Sequence, residues 1–286
     1  MHANEIPVDE QLVGGLVREQ FPDWAHLPVS LAATGTVNAM YRLGDLMVVR
    51  LPFVPDSSGI DFEAEWLPRL ASGLGVAIPS VLGIGEPTAA YPFRWLVLEW
   101  LEGTTVVPGG LENPDGLAAD LADFISGMRR LDPIGAPAGY RCGSLYPLDG
   151  DVRECLSQVG DLVDVAALLP AWDRALAAGP WAGSPTWAHC DLLSGNVLAS
   201  GGRLSGILDF AGAGVGDPAC DLMACWSMLP STSRGLFRER LAVDDDEWDR
   251  GRGWALSQAA IALPYYRDTF PTMATASLHI LRELGG

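Results

Sequence analysis

Lysine is absent from this 286-residue chain: all eighteen basic residues are arginine. Any role that elsewhere falls to a compact ammonium must here fall to a guanidinium, which is planar, forked and always charged. Bases are scarce altogether, 18 against 36 acids, for a formal net charge of −18. A field of that sign repels nucleic acid and anionic lipid surfaces and attracts cations, so neither nucleic acid nor a membrane is an expected partner. Long apolar runs are missing too; none reaches the roughly 18 residues that crossing a bilayer takes. The opening MHANEIPVDEQ has acids where a secretion signal has a basic and then an apolar stretch, so a cytoplasmic location is the expectation.

Cysteine is sparse: Cys142, Cys155, Cys190, Cys220 and Cys225, an odd number without a CxxC pair. They are read as reduced, mostly buried thiols. Zinc is not expected, because His2, His26, His189 and His279 are scattered and none stands at ligand spacing from a cysteine. What the chain has in quantity is apolar residues, 49% against 19% charged, enough to bury a core in one large domain or two lobes.

The two halves differ in texture. Residues 8–21 put Leu12, Val13, Leu16, Val17 and Phe21 on one helical face. Strand-like runs follow at Val29–Ala33, Val37–Leu43 and Leu46–Leu51, the last two split by the turn pair Gly44-Asp45. Residues 60–72 begin as a helix, and Val81–Gly85 and Arg94–Trp100 complete a β-rich first lobe, residues 1–100. From Asn113-Pro114, a good N-cap and first-turn pair, the pattern turns helical, with Pro170 opening a further helix. Asp244-Asp245-Asp246-Glu247 reads as another helix start, its acids suited to the helix dipole. The second lobe is residues 101–286. An α+β architecture is expected, a small β-rich N-lobe and a larger, mostly helical C-lobe.

The stretch that carries chemistry is TWAHCDLLSGNVLASGGRLSGILDFAGAGVGDPACDL, residues 186–222. It interrupts the helices with three strand-like pieces, Thr186–His189, Asn196–Leu198 and Leu204–Asp209, the latter two joined by a hairpin turn at Ser200–Arg203. Asp191, Asn196 and Asp209 therefore fall on loops or strand ends that a hairpin gathers. Two carboxylates and an amide oxygen suit a hard cation such as Mg²⁺, with phosphate oxygens completing its shell. Phosphoryl transfer asks for that metal, for neutralised charge and for a carboxylate that orients an acceptor hydroxyl. Asp191 then takes the hydroxyl proton, Asn196 holds one metal, and Asp209 bridges metal to phosphates.

His189-x-Asp191-x4-Asn196 followed by Ile207-Leu208-Asp209-Phe210, with Gly216-Asp217-Pro218-x2-Asp221-Leu222 downstream, resembles the catalytic and metal-binding loops of the aminoglycoside phosphotransferases and their kinase-like relatives. The resemblance runs along nearly the whole chain. It implies a bilobal protein-kinase-like fold, ATP or GTP as phosphate donor, Mg²⁺, and a resistance-type kinase that phosphorylates a small hydroxylated compound. It makes Asp221 the residue that pins the catalytic loop. His189 is counted with the catalytic set as an orienter of backbone rather than a reacting group. Cys190, where the family commonly has Gly, is read as packing and not as a nucleophile.

The nucleotide side is expected in the first lobe. Gly35, Thr36 and Asn38 lie between two strands, where backbone N–H groups would cover phosphates. By resemblance, Arg50 in Val48-Val49-Arg50-Leu51 stands where most kinases have a phosphate-binding lysine. Glu63 matches the helix Glu that holds that cation, and the backbone of Glu99 and Leu101 forms a hinge to the purine. The acidic charge favours a cationic substrate. Candidate carboxylates lie at Asp149–Glu154, Asp161–Asp164, Asp244–Glu247 and Asp268, with Trp254, Tyr265 and Tyr266 as possible pocket walls or core. The competing readings are a kinase of a metabolic amino alcohol or sugar, and a non-catalytic kinase-like module that binds a cationic ligand. A protein kinase is disfavoured, since residues 211–216 are too few for an activation segment.

Overall fold

The structure, a computed structural model, describes residues 6–54 and 58–285. Residues 1–5 of the segment read for an export signal, His2 among them, lie outside. The chain forms two compact units, Met1–Ser72 with Ala77–Glu102, and Gly73–Val76 with Gly103–Gly286.

In the first unit α1 (Glu10–Gln20) is started by Asp9, whose carboxylate accepts from the Leu12 N–H at 2.8 Å. Five strands follow: β1 (Val29–Thr34), β2 (Asn38–Leu43), β3 (Met47–Pro52), then, after α2 (Ser58–Ala71), β4 (Val81–Gly85) and β5 (Trp95–Glu99). They make one antiparallel sheet in the order β1-β2-β3-β5-β4. The expected hairpin is present: Leu43 faces Met47 across a turn in which Gly44 takes φ +59°, a left-handed conformation that costs glycine little. Side chains alternate along β3. Val49 and Leu51 enter a core with Val13, Leu16, Tyr41, Tyr91 and Trp95, while Val48 and Arg50 point to the other sheet face. Helix α2 runs through Pro68 to Ala71, longer than its first turns suggest.

The second unit is built from β6 (Thr104–Thr105), α3 (Pro114–Arg130), α4 (Asp149–Gln158), α5 (Val165–Ala177), β7 (Thr186–Ala188), β8 (Val197–Ser200), β9 (Arg203–Ile207), β10 (Gly214–Gly216), α6 (Ala224–Met228), α7 (Ser231–Leu241), α8 (Asp245–Tyr266) and α9 (Pro271–Gly285). Asn113 caps α3 through the Gly116 N–H at 3.0 Å, and Asp244 caps α8 through the Glu247 N–H at 2.7 Å, as the sequence suggests. One expectation needs correcting. Pro170 does not open a helix; it lies inside α5, which Asp164 starts by accepting from the Ala167 N–H. A side-chain acceptor at the N-cap outweighs the one backbone bond a proline removes. The three strand-like pieces of 186–210 divide between two sheets. β7 pairs with β10, whereas β8 and β9 pair with each other and with β6.

Helix α8 is the hub. Among its buried residues are Gly251, Gly253, Ala255, Ala259, Ala260 and Ala262, and small side chains on several faces let neighbouring elements approach its backbone. A Cβ at Gly251 would stand 2.5 Å from the Cβ of Leu222, and one at Gly253 would stand 2.6 Å from the Cβ of Ala175. Trp254 belongs to this core, while Tyr265 is exposed. No helix among the described residues is long and apolar enough to cross a membrane.

Candidate active site

The β8–β9 hairpin assembles the site. Val197 faces Ile207, and the Leu208 N–H donates to the Asn196 carbonyl at 2.8 Å. Asn196, just before β8, and Asp209, just after β9, are thereby brought to the same end of the hairpin. The turn at the other end is tight because Gly201 and Gly202 take φ +56° and +72°. Asp209 itself has φ +60°, ψ +70°. Aspartate tolerates this left-handed region better than most residues, and backbone held there against its preference concentrates at functional sites.

Asp191 arrives from the other side, on the loop after β7. The Asn196 Nδ2 donates to the Asp191 carbonyl at 2.9 Å and to its Oδ2 at 3.0 Å. The amide's Oδ1 takes no part in those bonds, so it is the atom able to meet a cation. The Asn196 Oδ1 and the Asp209 carboxylate are both hard oxygen donors, of the type that suits Mg²⁺ and not a soft ion. Burial pushes the Asp191 carboxyl above the ordinary carboxylate range, and the Asp209 charge pushes the same way against the pull of Arg141. Asp191 keeps part of its surface exposed, as a group that meets a substrate must.

Arg141 has no counterpart in the sequence reading. It comes from the loop between α3 and α4, and its Nη1 donates to Asp191 Oδ1 at 2.6 Å and to the Cys190 carbonyl at 3.3 Å. Its guanidinium also lies over the ring of Tyr140, 4.8 Å from the centroid. An arginine fifty residues from its partner in sequence, outside any motif, leaves no local signal.

The loop is held from behind. The His189 ring is fully buried, with Nε2 2.9 Å from the Leu208 carbonyl and Nδ1 accepting from the Asp191 N–H at 3.3 Å. That pairing places the ring proton on Nε2 and commits both nitrogens to backbone. Asp221 accepts from the His189 N–H at 2.9 Å and from the Cys190 N–H at 2.8 Å, which supports Cys190 in its own left-handed conformation, φ +66°. Asp221 is fixed in turn. Asp217 caps the short helical turn Pro218–Met223 and takes the buried Arg250 Nε at 2.8 Å. Gly216 lies so near Cys142 that a Cβ there would stand 2.3 Å from the Cys142 Cβ. Gly216, Asp217 and Asp221 of the GDPxxDL motif thus each have a physical task.

Burial raises the Asp221 carboxyl to about 6. The folded chain therefore keeps this proton between an ordinary carboxylate pKa, about 4, and about 6, where the unfolded chain has lost it. The resulting contribution to stability is complete below that window and is lost as pH rises through it. Comparing urea unfolding of the wild type and Asp221→Asn, the wild type should lose on the order of 2–3 kcal/mol relative to the variant between pH 4 and 7. Parallel curves would contradict the assignment.

In the first unit Arg50 is 4% exposed and Glu63 1%. The Arg50 Nη1 donates to both Glu63 oxygens at 2.7 Å. With its amide turned to present oxygen, Asn38 accepts from Arg50 Nε at 3.3 Å and Nη2 at 3.0 Å. The Gly35 N–H is spent within its own turn on the Asn38 carbonyl at 2.8 Å. Glu99 closes β5, with its N–H on the Ser80 carbonyl at 2.9 Å. Leu101 follows, and Thr36 sits in the β1–β2 turn. The acidic segments are largely engaged within the fold: Asp149 accepts from the Trp172 Nε1 and from Arg153, and Asp161 pairs with Arg267.

The sequence model of the phosphotransferase enzyme family, abbreviated APH, matches residues 29–254. The chain belongs to this family. It is an enzyme of the small-molecule kinase kind, and the kinase-like α+β fold expected from the sequence is the fold it has. The GDP complex of wild-type aminoglycoside 2'-phosphotransferase-IIIa aligns over 97% of this phosphotransferase and 99% of its own chain, with a TM-score of 0.76 and 19% identity. Macrolide 2'-phosphotransferase MphH from Brachybacterium faecium aligns over 96% and 98%, at TM-score 0.60 and 21% identity. The streptomycin-ATP-APH(2")-IIa ternary complex aligns over 88% and 90%, at TM-score 0.58 and 16% identity. No curated protein sequence matches the phosphotransferase.

Proposed function

We propose that this phosphotransferase moves the γ-phosphoryl group of ATP or GTP onto a hydroxyl of a small, cationic, antibiotic-like compound. The observation that carries the reading is the meeting of Asp191, Asn196 and Asp209 around one hairpin end, with Asp191 partly exposed and its carboxyl raised. Asp191 orients the acceptor hydroxyl and takes its proton. Asn196 holds one carboxylate oxygen and aims the base, while Arg141 occupies the other and must release it when the acceptor hydroxyl binds. Mg²⁺, held by Asn196 Oδ1 and Asp209, would supply charge neutralisation on the phosphoryl oxygens. Asp221 and His189 keep the loop in register and touch no reacting atom.

On the nucleotide side Arg50 offers its charge to the phosphates, aimed by Glu63 and Asn38. The β1–β2 turn with Gly35 and Thr36 would cover the phosphates with backbone other than the Gly35 N–H, which is spent on the Asn38 carbonyl. The Glu99 carbonyl and the Leu101 backbone face the base, since the Glu99 N–H is already taken. Support for the donor and the acceptor class comes from the similar proteins, which are an aminoglycoside and a macrolide phosphotransferase and complexes with GDP, ATP and streptomycin. The net charge of −18 favours a cation among such acceptors.

A second reading, a non-catalytic module that binds a cationic ligand, draws on Arg50: it replaces lysine and is buried against Glu63 and Asn38. Product analysis separates the readings. The protein is incubated with ATP or GTP and Mg²⁺ against aminoglycosides, macrolides, cationic cyclic peptides and amino alcohols, and each acceptor is weighed by mass spectrometry. One antibiotic class should gain a single phosphoryl group. A gain confined to amino alcohols or simple sugars would move the substrate to metabolism and overturn the antibiotic assignment.

A further inference from the structure

Behind the catalytic loop lie three thiols that phosphoryl transfer does not use. Cys142, Cys190 and Cys220 are all buried, 7% exposed at most. Their sulfurs stand 2.7 Å apart for 142–190, 3.4 Å for 142–220 and 3.9 Å for 190–220. Cys142 directly follows Arg141 and Cys190 directly precedes Asp191, so the closest sulfur pair joins the two segments that carry the Arg141–Asp191 ion pair.

The distances favour one chemistry over another. Three sulfurs around a soft cation, with bonds of about 2.3 Å, stand about 4 Å apart. The 142–190 pair would have to open by more than an ångström, and Gly139 is packed against it so closely that a Cβ there would lie 2.6 Å from both sulfurs. Forming a disulfide of about 2.05 Å asks the pair to close by only about 0.6 Å. Neighbouring sulfurs also differentiate the thiols. The Cys142 and Cys220 sulfurs beside it hold the Cys190 pKa well below the ordinary thiol value, while the Cys190 sulfur pushes the Cys142 pKa up. Of the pair, Cys190 is the sulfur favoured to react as thiolate, with Cys142 beside it.

We propose that Cys142 and Cys190 are an oxidation site for hydroperoxides, and that their disulfide arrests the enzyme by locking Arg141 onto Asp191. The Cys190 thiolate attacks one peroxide oxygen and becomes a sulfenic acid, the other oxygen leaving as hydroxide that is protonated to water. The Cys142 sulfur then gives up its proton and displaces the sulfenic hydroxyl as a second water, forming the S–S bond. Two thiols and one hydrogen peroxide yield one disulfide and two waters. Here Cys190 acts as a nucleophile toward peroxide, a role its sequence position did not suggest. Once the bond is made, neither the 141–142 segment nor the 190–191 loop moves alone, and the Asp191 carboxylate stays committed to the guanidinium. The arrest rests on the phosphotransfer reading; the disulfide does not.

The test treats the full chain with hydrogen peroxide in the presence of a metal chelator, then alkylates, digests and maps linked peptides without reductant. The expected result is a Cys142–Cys190 linked peptide, with denatured thiols falling from five to three. Nucleotide turnover on the acceptor, with Mg²⁺ restored, should fall about 10²-fold, the scale of a misplaced catalytic group, and return with dithiothreitol. Cys142→Ser should keep its turnover through the same treatment, and Cys142→Ala serves if the serine fails to fold. A Cys142–Cys220 link, or no link, overturns the site; a Cys142–Cys190 link with turnover unchanged overturns the arrest. Because the link is read by mass, an untreated protein that turns over no acceptor would refute the phosphotransfer reading without touching the disulfide.

Discussion

Asp191→Asn should lower kcat by roughly 10²–10⁴ while leaving the fold intact, because a positioned base contributes about that much. Asparagine keeps the shape of the side chain and one acceptor oxygen, so the Asn196 and Arg141 neighbours stay close. What it loses is the basicity that burial has raised. The ion pair given up is partly exposed, and such pairs contribute on the order of 1 kcal/mol or less. Turnover should therefore collapse with little change in the unfolding midpoint. Steady-state kinetics and urea unfolding on the same preparation check both halves. Loss of activity accompanied by an equal loss of stability would mean that Asp191 is structural.

Arg50→Ala carries the largest expected loss of stability, about 3–5 kcal/mol, since removing one member of a buried pair strands the other's charge. Glu63 is 1% exposed and both its oxygens face the Arg50 Nη1 at 2.7 Å, so solvent cannot take over. Arg50→Lys keeps the charge but gives up the fork toward Asn38, and should cost well under half as much. Replacing both members, Arg50→Met with Glu63→Leu, should recover most of the stability, because an apolar pair needs no compensation. That double variant separates fold from function. It should unfold near the wild-type midpoint yet bind nucleotide weakly, by titration calorimetry. A double variant that binds ATP and GTP as the wild type does would make Arg50–Glu63 an ordinary buried ion pair.

Much of the molecule was legible where a local rule decides the outcome. Gly44-Asp45 between strand patterns, Asn113-Pro114 before a helical one and the acids at 244–247 each act within a few residues, and the structure has the hairpin and both caps there. The catalytic stretch was legible because its spacing sets its geometry: Asn196 and Asp209 flank a two-glycine hairpin and must end up together. The one failure is local, and what went unread is non-local. Pro170 looked like a helix start because proline favours first turns, but the capping carboxylate of Asp164 lies earlier. Pairing of β7 with β10 joins segments whose contact depends on how Gly214 and Gly216 pack against the 138–142 loop. Arg141 and the thiol cluster come from that same loop, which carries no motif, and only the folded chain sets them beside Asp191 and Cys190.

The central claim is that this chain moves a phosphoryl group and does not merely bind nucleotide. The most direct measurement is release of ADP and GDP by the purified protein with Mg²⁺, with and without acceptor, using Asp191→Asn as the blank. Release that rises with acceptor and vanishes in the blank is the predicted result. Nucleotide that binds while no acceptor lifts its release above the blank would contradict the claim and make the protein a binding module.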